Sequence, residues 1–399
     1  MAKSSRYVSF ALDFMVYFRA GFYYVRYKIL GDIIVETYRR FQWKVWLLSV
    51  LFIFLFFLHQ LFSLFFRLMD TLFHQGHKKV QVKQPVFIIA NPRSGTTYLH
   101  RLMALDSERF IYTKNSHTFF MTSSFVQFYK LFSWIDKKLL FRSISKVMDR
   151  LDEKFWGGWD NIHAMGFNKA EEDELPFAQT LMSPGVFIPF PYFHLHNDNK
   201  FLDEEPESVR NRVMDFYESC VKRFVFRAGR DKTYLSKNVM STARFKSLLK
   251  RFPDAKIIYI ARHPYDAVPS MASMFTAMYN FAAPNVPSSH PSRRVWAEYG
   301  IKFFRYSQEM KRVIPPSQFC AVKYDDLLQG PAETVLSIYE HFGWEPSAEL
   351  LERLSQEQKR NSNYKSGHEY SLEQYGLSKE YIYNELSDVM DQWGFQREF

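Results

Sequence analysis

Residues 86 to 99 read Val-Phe-Ile-Ile-Ala-Asn-Pro-Arg-Ser-Gly-Thr-Thr-Tyr-Leu. The apolar run Val86–Ala90 has strand length; it meets a tight loop at Gly95, and the loop opens a helical pattern. That arrangement points several backbone N–H groups and the positive end of a helix dipole at one spot, a ready anion site. Ser94, Thr96 and Thr97 add hydroxyl donors, and Arg93 adds a cation with a fixed fork of donors. A Walker loop would need lysine directly after its second glycine, and Thr96 stands there instead. A nucleotide-dependent kinase would use the same strand–loop–helix, but this sequence lacks that lysine and an evident Mg²⁺ ligand set.

A second constellation lies downstream. Lys256–Ala261 reads as a strand, Arg262-His263-Pro264 ends it, and a helix carrying Ser270 follows. Pro264 suits that helix's first turn, where its missing N–H costs nothing. Arg262 then sits at the strand's C-terminal edge, with Ser270 about two turns into the helix. Together they can clamp a further phosphate beside the first loop, where open α/β sheets bind ligands.

The loop at 91–97 closely resembles the 5′-phosphosulfate-binding loop of sulfotransferases, which use 3′-phosphoadenosine 5′-phosphosulfate (PAPS). Cytosolic members carry lysine at the position of Arg93, whereas tyrosyl-protein and many bacterial members carry arginine. An arginine and a serine eight residues apart bind the 3′-phosphate in that family, the spacing of Arg262 and Ser270. Lys237-Asn238 and the run Phe245–Ile258 resemble the segment leading into the 3′-phosphate strand, although Val239 replaces a common proline. Tyr324-Asp325-Asp326-Leu327 with Pro331, and Tyr370-Ser371-Leu372 with Tyr375-Gly376-Leu377, are similar to later family segments. The Arg-Lys-Gly motif of cytosolic members is absent; Lys365-Ser366-Gly367 is the comparable C-terminal candidate. The resemblance covers most of residues 84–399 and implies a P-loop-like parallel sheet flanked by helices, the sulfotransferase fold.

Sulfuryl transfer moves a planar, electron-poor group in line, so the protein mainly positions reactants and neutralises developing charge. Arg93 is placed for the sulfuryl and 5′-phosphate oxygens, and Lys237 is the second cation; the resemblance to the tyrosyl-protein branch implies a transition-state role for it. No metal-ligand cluster is visible and none is expected. The acceptor hydroxyl needs a base. Glu172, within the run Glu171-Glu172-Asp173-Glu174, is the first candidate, and His163 is the second, because cytosolic relatives use a histidine. Glu171 and Glu174 read as a solvated helix start or as capping groups.

Further strands are expected at Tyr234–Lys237 and Phe319–Lys323. Helices are expected at Thr96–Ala104, Ser241–Arg251, Asp266–Ala277, Arg293–Val313 and Ala332–Phe342. This alternation describes an α/β domain with a parallel sheet. Between 105 and 232 the signal is mixed and aromatic, as insertions that build a lid or pocket would be. Two cysteines, Cys220 and Cys320, make no disulfide framework. No Asn-x-Ser/Thr acceptor occurs, which disfavours a secretory glycoprotein.

The first 79 residues are of another kind. Residues 1–44 hold eight Lys/Arg against three Asp/Glu, half of the chain's net +10. These basic residues are interleaved with aromatic and aliphatic ones, a pattern suited to anionic lipid rather than nucleic acid. Val45–Phe66 is an uncharged run, about 33 Å as a helix and long enough to cross a bilayer. His59-Gln60 weakens a simple span, and a tilted or monotopic insertion fits nearly as well. The expectation is a membrane-associating region, 1–79, before a catalytic domain, 80–399, that faces the cytoplasm, with a type II Golgi orientation as the alternative. Clustered aromatics at Phe119, Phe120, Phe125, Phe128, Tyr129, Phe132 and Trp134, and at Phe187, Phe190, Tyr192 and Phe193, are mostly core residues. With the N-terminus they favour an apolar alcohol acceptor such as a lipid, sterol or hydrophobic metabolite. A carbohydrate acceptor fits the sequence too, and a catalytically silent membrane scaffold on the same fold would require a broken site.

Overall fold

The computed structural model describes residues 43–147, 170–187, 201–282, 290–361 and 372–397, with Val35, Arg150 and 193–195. Five strands form one sheet: β1 (Val86–Ala90), β2 (Phe110–Tyr112), β3 (Thr233–Lys237), β4 (Lys256–Ala261) and β5 (Phe319–Lys323). Their order is β2-β3-β1-β4-β5 and every pair is parallel. The strands are apolar on both faces because both are covered. Phe87, Ile89, Ile257 and Tyr259 point into one core, and Val86, Ile88, Ile258 and Ile260 into the other.

The numbered helices are α1 (Trp43–Phe73), α2 (Thr96–Met103), α3 (Ser123–Lys138), α4 (Leu175–Gln179), α5 (Glu207–Ala228), α6 (Phe245–Arg251), α7 (Pro264–Ala282), α8 (Pro291–Val313), α9 (Pro331–Phe342), α10 (Ala348–Asn361) and α11 (Lys379–Trp393). Residues of α5, α8 and α11 fill the first core; α2, α9 and α10 fill the second. Proline opens α7, α8 and α9, where a missing N–H is harmless.

Three of the expected strands match end to end, and β3 starts one residue earlier. The edge strand β2 was not expected, since three residues are too few to show an alternation. The expected helix Ser241–Arg251 is a 3₁₀ turn, Val239–Arg244, followed by α6. Asn238 starts that turn by accepting a 3.0 Å hydrogen bond from the Met240 N–H.

The apolar N-terminal helix, expected at 45–66, runs from Trp43 to Phe73. It passes through the charges of Arg67 and Asp70 because both point inward and are paired. Arg67 donates to Ser219 at 2.9 Å and lies 4.9 Å over the Phe216 ring. Asp70 and Arg223 form a fully buried pair at 3.1 Å. Asp70 also accepts from the Ser123 and Ser124 N–H groups at 3.0 and 2.6 Å, fixing the start of α3. The buried stripe Val45, Ser49, Gln60, Ser63, Arg67, Asp70 follows helical spacing. Of the described helices, α1 alone is long and apolar enough to cross a membrane.

Candidate functional site

The chain leaves β1 toward β3 and β2, and only later places β4 on the other side of β1. The C-terminal end of β1 is therefore a switch point, where diverging connections open a crevice. The ends of three adjacent strands deliver the site's residues: the 91–95 loop from β1, Lys237 from β3 and Arg262 from β4.

The β1 loop is held in an uncommon shape. Arg93 has φ +69° and Gly95 has φ +79°, both left-handed. A Cβ on Gly95 would lie 3.1 Å from the Tyr324 ring and 3.3 Å from Leu327, so glycine serves both the conformation and the close packing. For Arg93 the left-handed backbone is a strain of about 1–2 kcal/mol, a feature concentrated at ligand sites. Its guanidinium has no partner among the described residues. Arg262 Nη1 donates to the Arg93 carbonyl at 2.5 Å, and its guanidinium stacks 4.6 Å over the Tyr324 ring. The two sequence motifs thus meet directly. Ser94 and Ser270 are buried, and neither hydroxyl has a hydrogen-bond partner among the described residues. A buried orphan hydroxyl costs free energy, and one in the cationic loop and another on the helix that follows Arg262 are what bound phosphate groups would satisfy. The hydroxyls, the left-handed cradle and the two arginines fit a doubly phosphorylated nucleotide.

Across β1, Lys237 and the carboxylates are already paired. Lys237 Nζ, fully buried, reaches Thr97 Oγ1 at 3.2 Å, Glu172 Oε1 at 2.8 Å and Glu171 Oε1 at 3.4 Å. Glu172 retains a quarter of its side-chain surface in solvent, while Glu171 is nearly covered. Thr97 belongs to the anion loop, so Lys237 bridges that loop to the carboxylate expected to act as base.

The acidic run is not a solvated face, which corrects the reading of Glu171 and Glu174. Glu171 lies on Lys237, and Glu174 makes two 2.6 Å bonds to Arg244, whose guanidinium stacks 3.7 Å from the Phe177 centroid. Four consecutive acids are tolerated because each meets a buried partner, Glu171 and Glu172 sharing Lys237. Asp173 is wholly buried and accepts from the hydroxyls of Tyr217 and, at 2.7 Å, Tyr234, and from Asn238 at 3.2 Å. Burial pushes its carboxyl above the usual range, an effect those donors oppose. Sequence reasoning missed this network because its partners come from 44 to 65 residues away. It also missed His100, one turn into α2, which is buried and held down to about 3 by burial first and then by the Lys237 charge. Tyr324 had been noticed only as part of a resemblance; its ring is a wall of the loop.

His163 and Lys365 lie outside the described residues, as do Phe190 and Tyr192. Of the aromatic clusters, Phe193 is core, stacked 4.2 Å from Trp296. Phe119, Phe128, Phe132 and Trp134 are exposed rather than buried.

Residues 85–348 match the model of the Sulfotransferase family. Two curated relatives, each described as omega-hydroxy-beta-dihydromenaquinone-9 sulfotransferase Stf3, come from Mycobacterium bovis and Mycobacterium tuberculosis. Each is 27% identical over 322 residues, covering 78% of this chain and 76% of the relative. Among solved structures, sulfotransferase STF9 from Mycobacterium avium has a TM-score of 0.65 at 15% identity, covering 81% of this chain and 80% of that one. Sulfotransferase STF1 from Mycobacterium tuberculosis H37Rv has a TM-score of 0.64 at 17% identity, covering 91% and 92%. These likenesses place the fold.

Proposed function

The chain belongs to the Sulfotransferase family, and from that premise we propose that it transfers a sulfuryl group from PAPS to the hydroxyl of a hydrophobic, membrane-resident acceptor. The observation that carries the donor assignment is the pair of buried hydroxyls without a partner among the described residues, Ser94 in the loop that Arg262 holds and Ser270 on the helix that follows Arg262. Arg93, the backbone at Ser94–Thr97 and the Thr96 and Thr97 hydroxyls hold the 5′ end. Arg262 and Ser270 hold the 3′-phosphate. When bound, the donor supplies the sulfuryl group that the acceptor oxygen takes.

The chain's own contribution is placement and charge. Glu172, solvent-accessible and 2.8 Å from Lys237, receives the acceptor proton on a carboxylate oxygen. Once that carboxylate is neutral, the Lys237 ammonium keeps only the longer 3.4 Å ion pair with Glu171, and more of its charge is available to the oxygens beside Thr97. Base and electrophile are thereby coupled: the proton's arrival turns on the cation. Asp173 positions the Lys237-Asn238 corner through Asn238 and two tyrosines. His163 is the alternative base and Lys365 a further donor contact.

Two things support an apolar acceptor. The exposed rings of Phe119, Phe128, Phe132 and Trp134 continue the apolar surface of α1, which suits a protein that associates with a membrane. The Stf3 relatives are named for a hydroxylated menaquinone, a hydrophobic alcohol. Buried free thiols at Cys220 and Cys320 suit a catalytic domain facing the cytoplasm. The test is incubation of detergent-solubilised protein with sulfur-35-labelled PAPS and an organic extract of membranes. Label should enter the organic phase with the wild type and not with Lys237→Ala. Transfer confined to a carbohydrate fraction would overturn the acceptor class, and labelling from ATP rather than PAPS would overturn the donor.

A further inference from the structure

Resting on the membrane association proposed above, we propose that α1 does not cross the bilayer. It lies flat in one leaflet of an anionic membrane, and α3 with the loop after it forms a second insertion beside it.

The first observation is the inside-out distribution of α1. Every described exposed residue between Val45 and Phe73 is apolar, Trp46, Phe54, Leu61 and Phe65 among them. From Ser49 onward its polar and charged groups face the protein. Gln60 donates to the Gln179 carbonyl at 2.8 Å, and His59 bonds to the Phe119 carbonyl at 2.7 Å. Val45 at one end sits in a core with Met271 and Phe275, and Asp70 at the other pairs with Arg223. Contacts with the domain recur along the whole helix, so no stretch of about 20 residues is free to meet lipid on all sides, as a span requires. Crossing by the uncharged run would tear Val45, His59 and Gln60 from their partners in the domain. A helix apolar on one face and bonded to its own domain on the other suits the plane of the interface.

The second observation is independent of α1. Phe66 on α1 lies 5.2 Å from Phe125 and 6.2 Å from Phe128, and Phe128 stacks 6.2 Å from Phe132, so the apolar surface continues onto α3. It ends at Trp134, 55% exposed, and Phe141, 81% exposed. Phe141 and Arg142 both have positive φ, 48° and 61°. That uncommon backbone is held by Asp136, which accepts from the Ile144 and Ser145 N–H groups at 2.9 and 3.0 Å. Around this surface Lys130, Lys137, Lys138, Arg142 and Lys146 are all exposed. The single acid between Phe119 and Val147 is Asp136, which is buried. An apolar plateau with a cationic rim matches the acyl and phosphate layers of an anionic leaflet.

The experiment is vesicle flotation of the full chain carrying an N-terminal epitope, with bound 3′,5′-ADP affinity as the folding control. The protein should float with phosphatidylcholine–phosphatidylglycerol vesicles about tenfold better than with phosphatidylcholine alone. Protease added outside sealed vesicles should remove the epitope, because the N-terminus stays on the domain's side. Phe128→Ser with Trp134→Ser and Phe141→Ser should lower partition by about tenfold or more with nucleotide affinity unchanged. If those changes unfold the protein, Lys137→Glu with Lys138→Glu should still abolish the preference for anionic vesicles. A protected epitope together with unchanged partition of the variants would mean that α1 crosses and would overturn the proposal. So would a wild type that ignores vesicles, or one that covers this face with a second copy in solution. In either case persisting transfer of labelled sulfuryl would leave the proposed chemistry standing.

Discussion

The two sides of β1 are built on opposite terms. On the β4 side, Arg93 is strained, and its guanidinium and the buried hydroxyls of Ser94 and Ser270 have nothing to bond among the described residues. On the β3 side, Lys237, Glu172, Asp173 and Glu174 are joined to one another or to Arg244, Asn238 and two tyrosines. The first side carries an unsatisfied cost that a ligand relieves; on the second, Lys237 and the four carboxylates already hold partners before any ligand arrives. Mutations should therefore act differently on the two sides: through binding on the first, through rate and stability on the second.

The largest effect expected is on the prebuilt side. Glu172→Ala should lower turnover by about 10² to 10⁴, roughly 3–5 kcal/mol in barrier, with 3′,5′-ADP affinity intact. Turnover within tenfold of wild type would remove Glu172 from the mechanism and leave His163 as the base. On the ligand-seeking side, Arg262→Ala should weaken 3′,5′-ADP by about 10- to 100-fold, the worth of a charge-assisted phosphate contact, and leave ordinary ADP almost unchanged. Equal losses for the two nucleotides would break the assignment of the 3′ subsite.

A smaller effect tests how closed the prebuilt side is. His100 is held at about 3 against an ordinary 6.5, so the unfolded chain binds more protons in that interval. The resulting stability is fully present above about pH 6.5 and is lost as pH falls toward 3, by about 1.4 kcal/mol per pH unit. His100→Gln should flatten the acid limb of denaturant unfolding between pH 6.5 and 5. An unchanged slope would show that His100 protonates freely in the folded protein. The smallest effect belongs to Ser270→Ala. Deleting an orphan hydroxyl should leave the ligand-free protein within about 0.5 kcal/mol of wild type and weaken 3′,5′-ADP by about fivefold. A clear loss of stability without ligand would mean that Ser270 is structural.

The same contrast explains what the sequence made legible. The β4 side is written in short, contiguous signals: a strand, a glycine turn, hydroxyls in a row, and an arginine and serine at fixed spacing on one strand–helix unit. Backbone geometry alone then brings Arg262 onto the Arg93 carbonyl. The β3 side is written in long-range pairings. Nothing near Asp173 announces Tyr217 or Tyr234, and Glu174 finds Arg244 from 70 residues away. Four acids in a row look solvated until the fold supplies buried partners for all of them, with Lys237 shared by Glu171 and Glu172. The N-terminal helix lies between these cases. Its apolar run was plain, but its end was misplaced, because a charge reads as a boundary until Ser219 and Arg223 are seen to accommodate Arg67 and Asp70.

The central claim is that the crevice between β1 and β4 selects a nucleotide by its 3′-phosphate. Calorimetry of the detergent-solubilised protein with 3′,5′-ADP and, separately, with ordinary ADP tests it most directly. 3′,5′-ADP should bind at least about tenfold tighter, the worth of one charge-assisted phosphate clamp. Equal affinity, or a preference for ordinary ADP, would contradict it.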